Sequence, residues 1–225
     1  MQLNKPLAIF DLDNTLLAGD SDYLWGRFLI EQGLVDGAYY ERENQRYYEE
    51  YTRGTLDIFE FLAFALKPLA ANDLTTLRAL HSLYMRDKIL PIITRDARAL
   101  LQQHRNQGHT LMIITATNRF ITEPIAMELD VPYLLATDPE MVNNRYTGRV
   151  VGVPCFREGK VTRLEQWLKQ NGQNLAQSWF YSDSHNDLPL LERVTHPVAV
   201  NPDPTLETHA TAKQWPILRF ATAAR

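Results

Sequence analysis

The run Leu7-Ala8-Ile9-Phe10, followed at once by Asp11-Leu12-Asp13-Asn14-Thr15, constrains this chain more than any other stretch. Four consecutive apolar residues bounded by charge read as a strand buried on both faces, as in parallel sheets. Asp11 then stands at the strand's C-terminal end, where open α/β sheets bind ligands. The chain turns there, so Asp11 and Asp13 converge on one small volume. Two acids that close repel unless a cation or a shared proton intervenes. The spacing therefore asks for a hard divalent metal, with Mg²⁺ and its oxygen ligands as the expected ion. A plainer reading of the same residues is a solvated turn supported by Asn14.

After Leu17 the hydrophobic period changes from strand to helix and stays helical for about seventy residues. Ser21 caps a helix with Leu24, Trp25, Phe28 and Leu29 on one face, and a Tyr-rich helix follows from about Gly37 to Tyr51. Thr55 starts a third, ended by Pro68, and Asn72 caps a fourth carrying Leu74, Leu77, Leu80 and Tyr84. Pro91 marks the return to alternating strands and helices. Leu111–Ile114, Tyr133–Ala136, Trp179–Tyr181 and Val198–Val200 read as strands, with a hairpin at Asn143-Asn144. The expected architecture is α/β: a doubly wound parallel sheet of the Rossmann type over residues 1–17 and 90–225, with an inserted α-helical domain over 18–89.

Composition excludes several partners. A net charge of -4 without a basic run argues against nucleic acid. No apolar stretch approaches the roughly 18 residues that span a bilayer. The segment Met1–Pro6 has neither the apolar core nor the cleavage site of a signal peptide. With Cys155 as the single cysteine no internal disulfide forms, and a reducing cytoplasm is the expected location. A lone cysteine of this kind reads as structural rather than nucleophilic.

The remaining polar signals fall at strand ends and one helix start: Thr115-Ala116 after the second strand, Lys160 opening a helix, and Asp183, Asn186 and Asp187 after Trp179–Tyr181. In an open parallel sheet such residues share one edge and meet in one crevice. Singly, each has a bland role as a cap or a surface residue. Jointly, Asp11-Leu12-Asp13-Asn14-Thr15-Leu16, Thr115, Lys160 and Asp183 to Asp187 resemble the four motifs of the haloacid dehalogenase superfamily of phosphohydrolases, in the family's order and over nearly the whole chain.

The resemblance implies Mg²⁺-dependent hydrolysis of a small phosphate monoester. Asp11 would be the nucleophile that forms an aspartyl-phosphate, and Asp13 the acid and then the base. Mg²⁺ would be held by Asp11, Asp183 and the backbone carbonyl of Asp13. Lys160 would neutralise charge beside Asp11, while Thr115 and the Ala116 N–H would hold a phosphoryl oxygen. Asp187, with Asn186 beside it, would orient Lys160 or a metal-bound water. Receiver domains of signalling systems, which accept phosphate without turning it over, are the alternative from another class. Their paired acids and acceptor lie on different strands, whereas Asp11 and Asp13 share one.

A helical insertion after the first motif is similar to the branch holding phosphoserine phosphatases and bacterial histidinol-phosphate phosphatases. In the former, an acid nine residues after the nucleophile reads the substrate ammonium, and Asp20 occupies that place here. The arginine that reads the substrate carboxylate is missing after Gly54-Thr55-Leu56, where Phe59, Phe61 and Phe64 stand instead. Losing a bidentate clamp is not conservative. The expected substrate is an amino-bearing monoester without a carboxylate, histidinol phosphate leading, its imidazole against Phe64 or tyrosines of the second helix. Phosphoserine and a broad range of small metabolites are the alternatives. The sequence leaves open where Arg27, Arg53 and Arg119 lie, and it does not fix the oligomeric state.

Overall fold

The computed structural model describes residues 5–220; Met1–Asn4, part of the leading segment discussed above, and residues 221–225 lie outside it. β1 (Leu7–Phe10) is flanked on one side by β2 (Thr110–Asn118) and on the other by β5 (Trp179–Ser182). β3 (Tyr133–Val142), β4 (Arg145–Val151), β6 (His196–Val200) and β7 (Ile217–Leu218) complete the order β4-β3-β2-β1-β5-β6-β7. All neighbours are parallel except β3 and β4, which form an antiparallel hairpin at one edge. The hairpin turns through Asn143 and Asn144, both left-handed at φ 49° and 59°. Asparagine tolerates that conformation, and the pair suits the primed turn that matches strand twist.

Each strand of the sheet's centre is divided by alternation between two cores. Ala8, Phe10, Leu111, Ile113 and Val200 face α6 (Arg95–Asn106) and α7 (Arg119–Glu128). Leu7, Ile9, Met112, Ile114, Phe180 and Ala199 face α8 (Glu158–Asn171), α9 (Leu188–Leu191) and α10 (Pro204–Lys213). Covering both faces is what lets these strands be continuously apolar.

Between Leu17 and Ile93, which pair in an isolated antiparallel bridge, the chain is helical. α1 (Ser21–Glu31), α2 (Gly37–Arg53), α3 (Ile58–Ala65), α4 (Lys67–Ala71) and α5 (Leu74–Tyr84) lie here, ending in a π-turn at Met85–Ile89 and a 3₁₀ turn at Leu90–Ile92. Trp25, Phe28 and Leu29 of α1 and Tyr84 of α5 join the same apolar cluster as the sheet. Tyr40, Tyr47, Phe64 and Ala65 make a separate small core between α2 and α3.

The helix starts differ from the sequence reading by one to three residues, for one recurring reason: a carboxylate takes the capping place. Asp20 caps α1 in place of Ser21, Asp57 caps α3 beyond Thr55, and Asp73 caps α5 in place of Asn72. Asn72 instead donates to the Pro68 carbonyl at 2.8 Å.

Candidate active site

β1 and β5 end together and Asp11 continues β1, whereas β2 runs on to Asn118, so that Thr115 and Ala116, expected just after this strand, lie inside it. The Asp11 N–H donates to the Tyr181 carbonyl at 2.9 Å, prolonging the β1–β5 ladder by one bond. The chain then folds over Leu12, whose carbonyl accepts from the N–H groups of Leu16 and Leu17 at 2.9 and 3.0 Å. Asn14 makes the reversal in a left-handed conformation (φ 55°). Leu12 points into the core, and Asp11 and Asp13 on either side of it line the same cavity.

Lys160 reaches them from the first turn of α8. Its Nζ donates to Asp11 Oδ1 at 2.8 Å and to Asp187 at 2.7 Å, with all three side chains buried. Ser182, at the end of β5, donates to Asp187 at 2.7 Å and fixes it. The helix approaches this closely because Gly159 has no side chain: a Cβ there would lie 2.0 Å from the Pro154 carbonyl oxygen. Gly159→Ala is therefore expected to cost about 1–3 kcal/mol of stability and to lower turnover by displacing Lys160. Urea unfolding and phosphate release on the same preparation measure both.

Asp13 Oδ1 accepts the Ser21 N–H at 2.7 Å, and Oδ2 accepts the Thr117 hydroxyl at 2.8 Å. Thr117 was not singled out from the sequence, although it sits two residues beyond Thr115, on the same side of a strand. Thr115 is buried at the cavity wall and its Oγ accepts the Thr117 N–H at 3.2 Å. Asp183 accepts the Thr15 hydroxyl at 3.1 Å, tying the β5 loop to the β1 loop. Asn186 accepts from Arg157 Nε at 2.9 Å and donates to the Tyr51 carbonyl at 3.1 Å, linking the core to the end of α2. Arg157 also donates to the Gly54 carbonyl, from a strained backbone at φ 50°. Nothing in its sequence neighbourhood marks that role.

Negative charge dominates this volume. Burial raises Asp11, against the pull of Lys160, and raises Asp13 with added repulsion from Asp20. Asp183 is held well above the usual carboxylate range by burial and then by Asp11 and Asp187. Lys160 is opposed by burial, but Asp11 and Asp187 outweigh that and keep it charged. Among the described residues no group of three or more His, Cys, Asp or Glu side chains is arranged to hold a metal ion. The expected ligand set contains only two carboxylates, with a backbone carbonyl as its third member.

The cavity above these residues holds about 790 Å³ of empty space, its open mouth included. Tyr23, Tyr47, Tyr48, Tyr51, Phe61 and Phe156 form its aromatic wall, and Ala116, Asp20 and Asp22 also line it. Asp20 doubles as the cap of α1, its Oδ1 accepting the Asp22 and Tyr23 N–H groups at 2.9 Å each. The expectation for Phe64 needs correction. It is buried against Tyr40 and Tyr47 inside the α2–α3 core, and Phe61, one turn earlier, lines the cavity instead. The arginines left open by the sequence do not line it either. Arg27 pairs with Glu41, Arg53 with Glu49 and Arg119 with Asp138. Cys155 is buried beside the Leu135 carbonyl, its thiol pushed up to about 12 by burial, which keeps it inert.

A family described as haloacid dehalogenase-like hydrolase matches residues 8–192, and the chain belongs to that family. Within it the protein is a phosphatase. A histidinol-phosphatase from Neisseria meningitidis serogroup C (strain 8013) is 46% identical over 220 residues, 96% of this chain and 99% of that one. The crystal structure of a protein of unknown function from Bordetella pertussis Tohama I is also 46% identical, with a TM-score of 0.90 over 96% of this chain and 98% of its own. A phosphoserine phosphatase structure, an analogue of its phospho-aspartyl intermediate, shares the fold with a TM-score of 0.71 at 21% identity, covering 96% and 93% of the two chains. Among the described residues no helix is long and apolar enough to cross a membrane.

Proposed function

We propose that this phosphatase hydrolyses a small phosphate monoester that carries an amino group and no carboxylate, with histidinol phosphate as the leading substrate. One observation carries this reading: the cavity is lined by Asp20, Asp22 and aromatic rings, and Lys160, the one lysine or arginine lining it among the described residues, is already paired with Asp11 and Asp187. A substrate carboxylate would enter that volume without a partner and beside acids, which disfavours it strongly. The name of the Neisseria relative supports the same choice.

The donors at the strand ends fit a hard divalent cation. The Asp11 and Asp183 carboxylates and the Asp13 carbonyl are all oxygen ligands, and the excess of buried negative charge around Lys160 asks for a positive one. Mg²⁺ held there would supply charge screening between the phosphate dianion and the acids.

Asp11 attacks phosphorus through its carboxylate, giving an aspartyl-phosphate and releasing the substrate alkoxide. Asp13 gives that alkoxide its proton, and burial suits it to the task by raising it to about 6. In the second half it takes a proton from the water that attacks phosphorus, which frees inorganic phosphate and restores Asp11. Lys160 neutralises charge as it builds, and Thr115 with the Ala116 N–H supports a phosphoryl oxygen. The helices over residues 18–89 act as a cap that keeps bulk water from the intermediate.

The test is phosphate release from histidinol phosphate and from phosphoserine on one preparation with Mg²⁺. A kcat/KM at least tenfold higher for histidinol phosphate is expected, and chelation with EDTA should silence both until Mg²⁺ is restored. Preference for phosphoserine would reject the substrate class, and full activity after chelation would reject the metal.

A further inference from the structure

We infer that Asp22, rather than the capping Asp20, is the residue that binds the substrate's ammonium group. The inference rests on the proposed substrate class and assigns the contact that selects it. Asp20, the N-cap of α1, and Asp22, the second residue of the helix, both line the cavity. Their carboxylates differ in what they already hold. Asp20 Oδ1 accepts two backbone N–H groups, and this anchors the side chain toward the helix it caps. Among the described residues the Asp22 carboxylate has no hydrogen-bond or ion-pair partner, although burial and the nearby charges of Asp20 and Asp13 make an isolated charge costly there.

Among the described residues the surroundings offer Asp22 no uncommitted cation. Arg27, one turn along α1, is committed to Glu41 at 2.6 Å, and Lys160 to Asp11 and Asp187. Beside Asp22, Tyr23 and Tyr48 approach with ring centroids 5.9 Å apart, and Asn44 of α2 also lines the cavity, its Nδ2 donating to the Tyr23 carbonyl at 3.4 Å. Gly26 permits that approach, since a Cβ there would lie 2.2 Å from Asn44 Nδ2. An ammonium ion fits such a place: it satisfies the free carboxylate and is favoured by the faces of neighbouring rings. Asp22 went unnoticed in the sequence because an acid in a first helical turn reads as ordinary compensation of the helix dipole.

Histidinol phosphate and its desamino analogue, imidazolylpropyl phosphate, isolate the contact, because they differ only in the amine. The ratio of their kcat/KM values is to be measured for wild type, Asp22→Asn, Asp22→Glu and Asp20→Asn. Asp22→Asn should lower the ratio roughly 10- to 100-fold, the worth of one charge-assisted hydrogen bond. Asp22→Glu should recover part of it, and Asp20→Asn should move it less than Asp22→Asn does. A wild type indifferent to the amine would reject the substrate class itself, and the assignment with it. A wild type that prefers the amine, with the preference intact in Asp22→Asn or lost chiefly in Asp20→Asn, would overturn the Asp22 assignment alone.

Discussion

Asp11→Asn should lower kcat by at least about 10⁴-fold, the scale on which an essential nucleophile is lost, while leaving a folded protein. The carboxamide keeps the shape of the side chain but cannot attack phosphorus. Folding should survive for two reasons visible in the site. Lys160 retains Asp187 as a partner at 2.7 Å, so no buried ammonium is stranded. Burial already disfavours the charged form of Asp11, and Asp13 and Asp187 add repulsion, so removing that charge relieves part of the crowding. Phosphate release and a thermal midpoint on one preparation separate chemistry from stability. Turnover within tenfold of wild type would place the nucleophile elsewhere.

Asp11, Thr115 and Lys160, which line the cavity, were legible in the sequence because each follows a run of buried strand or opens a helix, although β2 itself continues past Thr115 to Asn118. Asp11, Thr115 and Asp183 follow runs of buried strand, and a parallel sheet brings such ends to one edge whatever their separation in sequence. Lys160 was legible as a helix start, though the reason it reaches Asp11 was not: Gly159 packs against the Pro154 carbonyl five residues earlier, in a tight turn into α8 that the sequence reading did not single out. The wall of the cavity was harder to read. Phe59, Phe61 and Phe64 look alike on a helix, and which of them meets solvent, cavity or core depends on how α3 docks. In the structure Phe59 is 63% exposed, Phe61 lines the cavity and Phe64 lies in the core, so the choice of Phe64 failed where propensity has nothing to say. The link from Arg157 to Gly54 and Asn186 is of the same kind. It depends on a left-handed backbone at a non-glycine residue, which sequence alone rarely announces. The short β7 and α10, with little more than Leu206 and Ala210 buried, carry too weak a period to have been found.

Lys160→Met should be the most destabilising single change at the site as well as a severe loss of activity. Methionine fills most of the volume of the lysine stem, so packing is largely kept and the effect is electrostatic. Removing one partner of a buried pair costs roughly 3–5 kcal/mol, and here two buried carboxylates, Asp11 and Asp187, lose the same cation. The pH dependence should identify the cause. In the absence of divalent metal, burial holds Asp11 above its ordinary 3.8, to about 7, even with Lys160 pulling it down. A group raised on folding contributes stability that is present below its unfolded value and is lost as pH rises through the folded value. Without Lys160 that folded value climbs further, so the variant's deficit relative to wild type should stay level from pH 4 to about pH 6 and widen as pH rises through about 7 toward pH 8. Urea midpoints across that range in chelator measure it. A deficit that is constant with pH would mean the lysine acts through packing rather than charge. Added Mg²⁺ should then recover part of the variant's stability at pH 8 and less at pH 4, because only the ionised acids attract it.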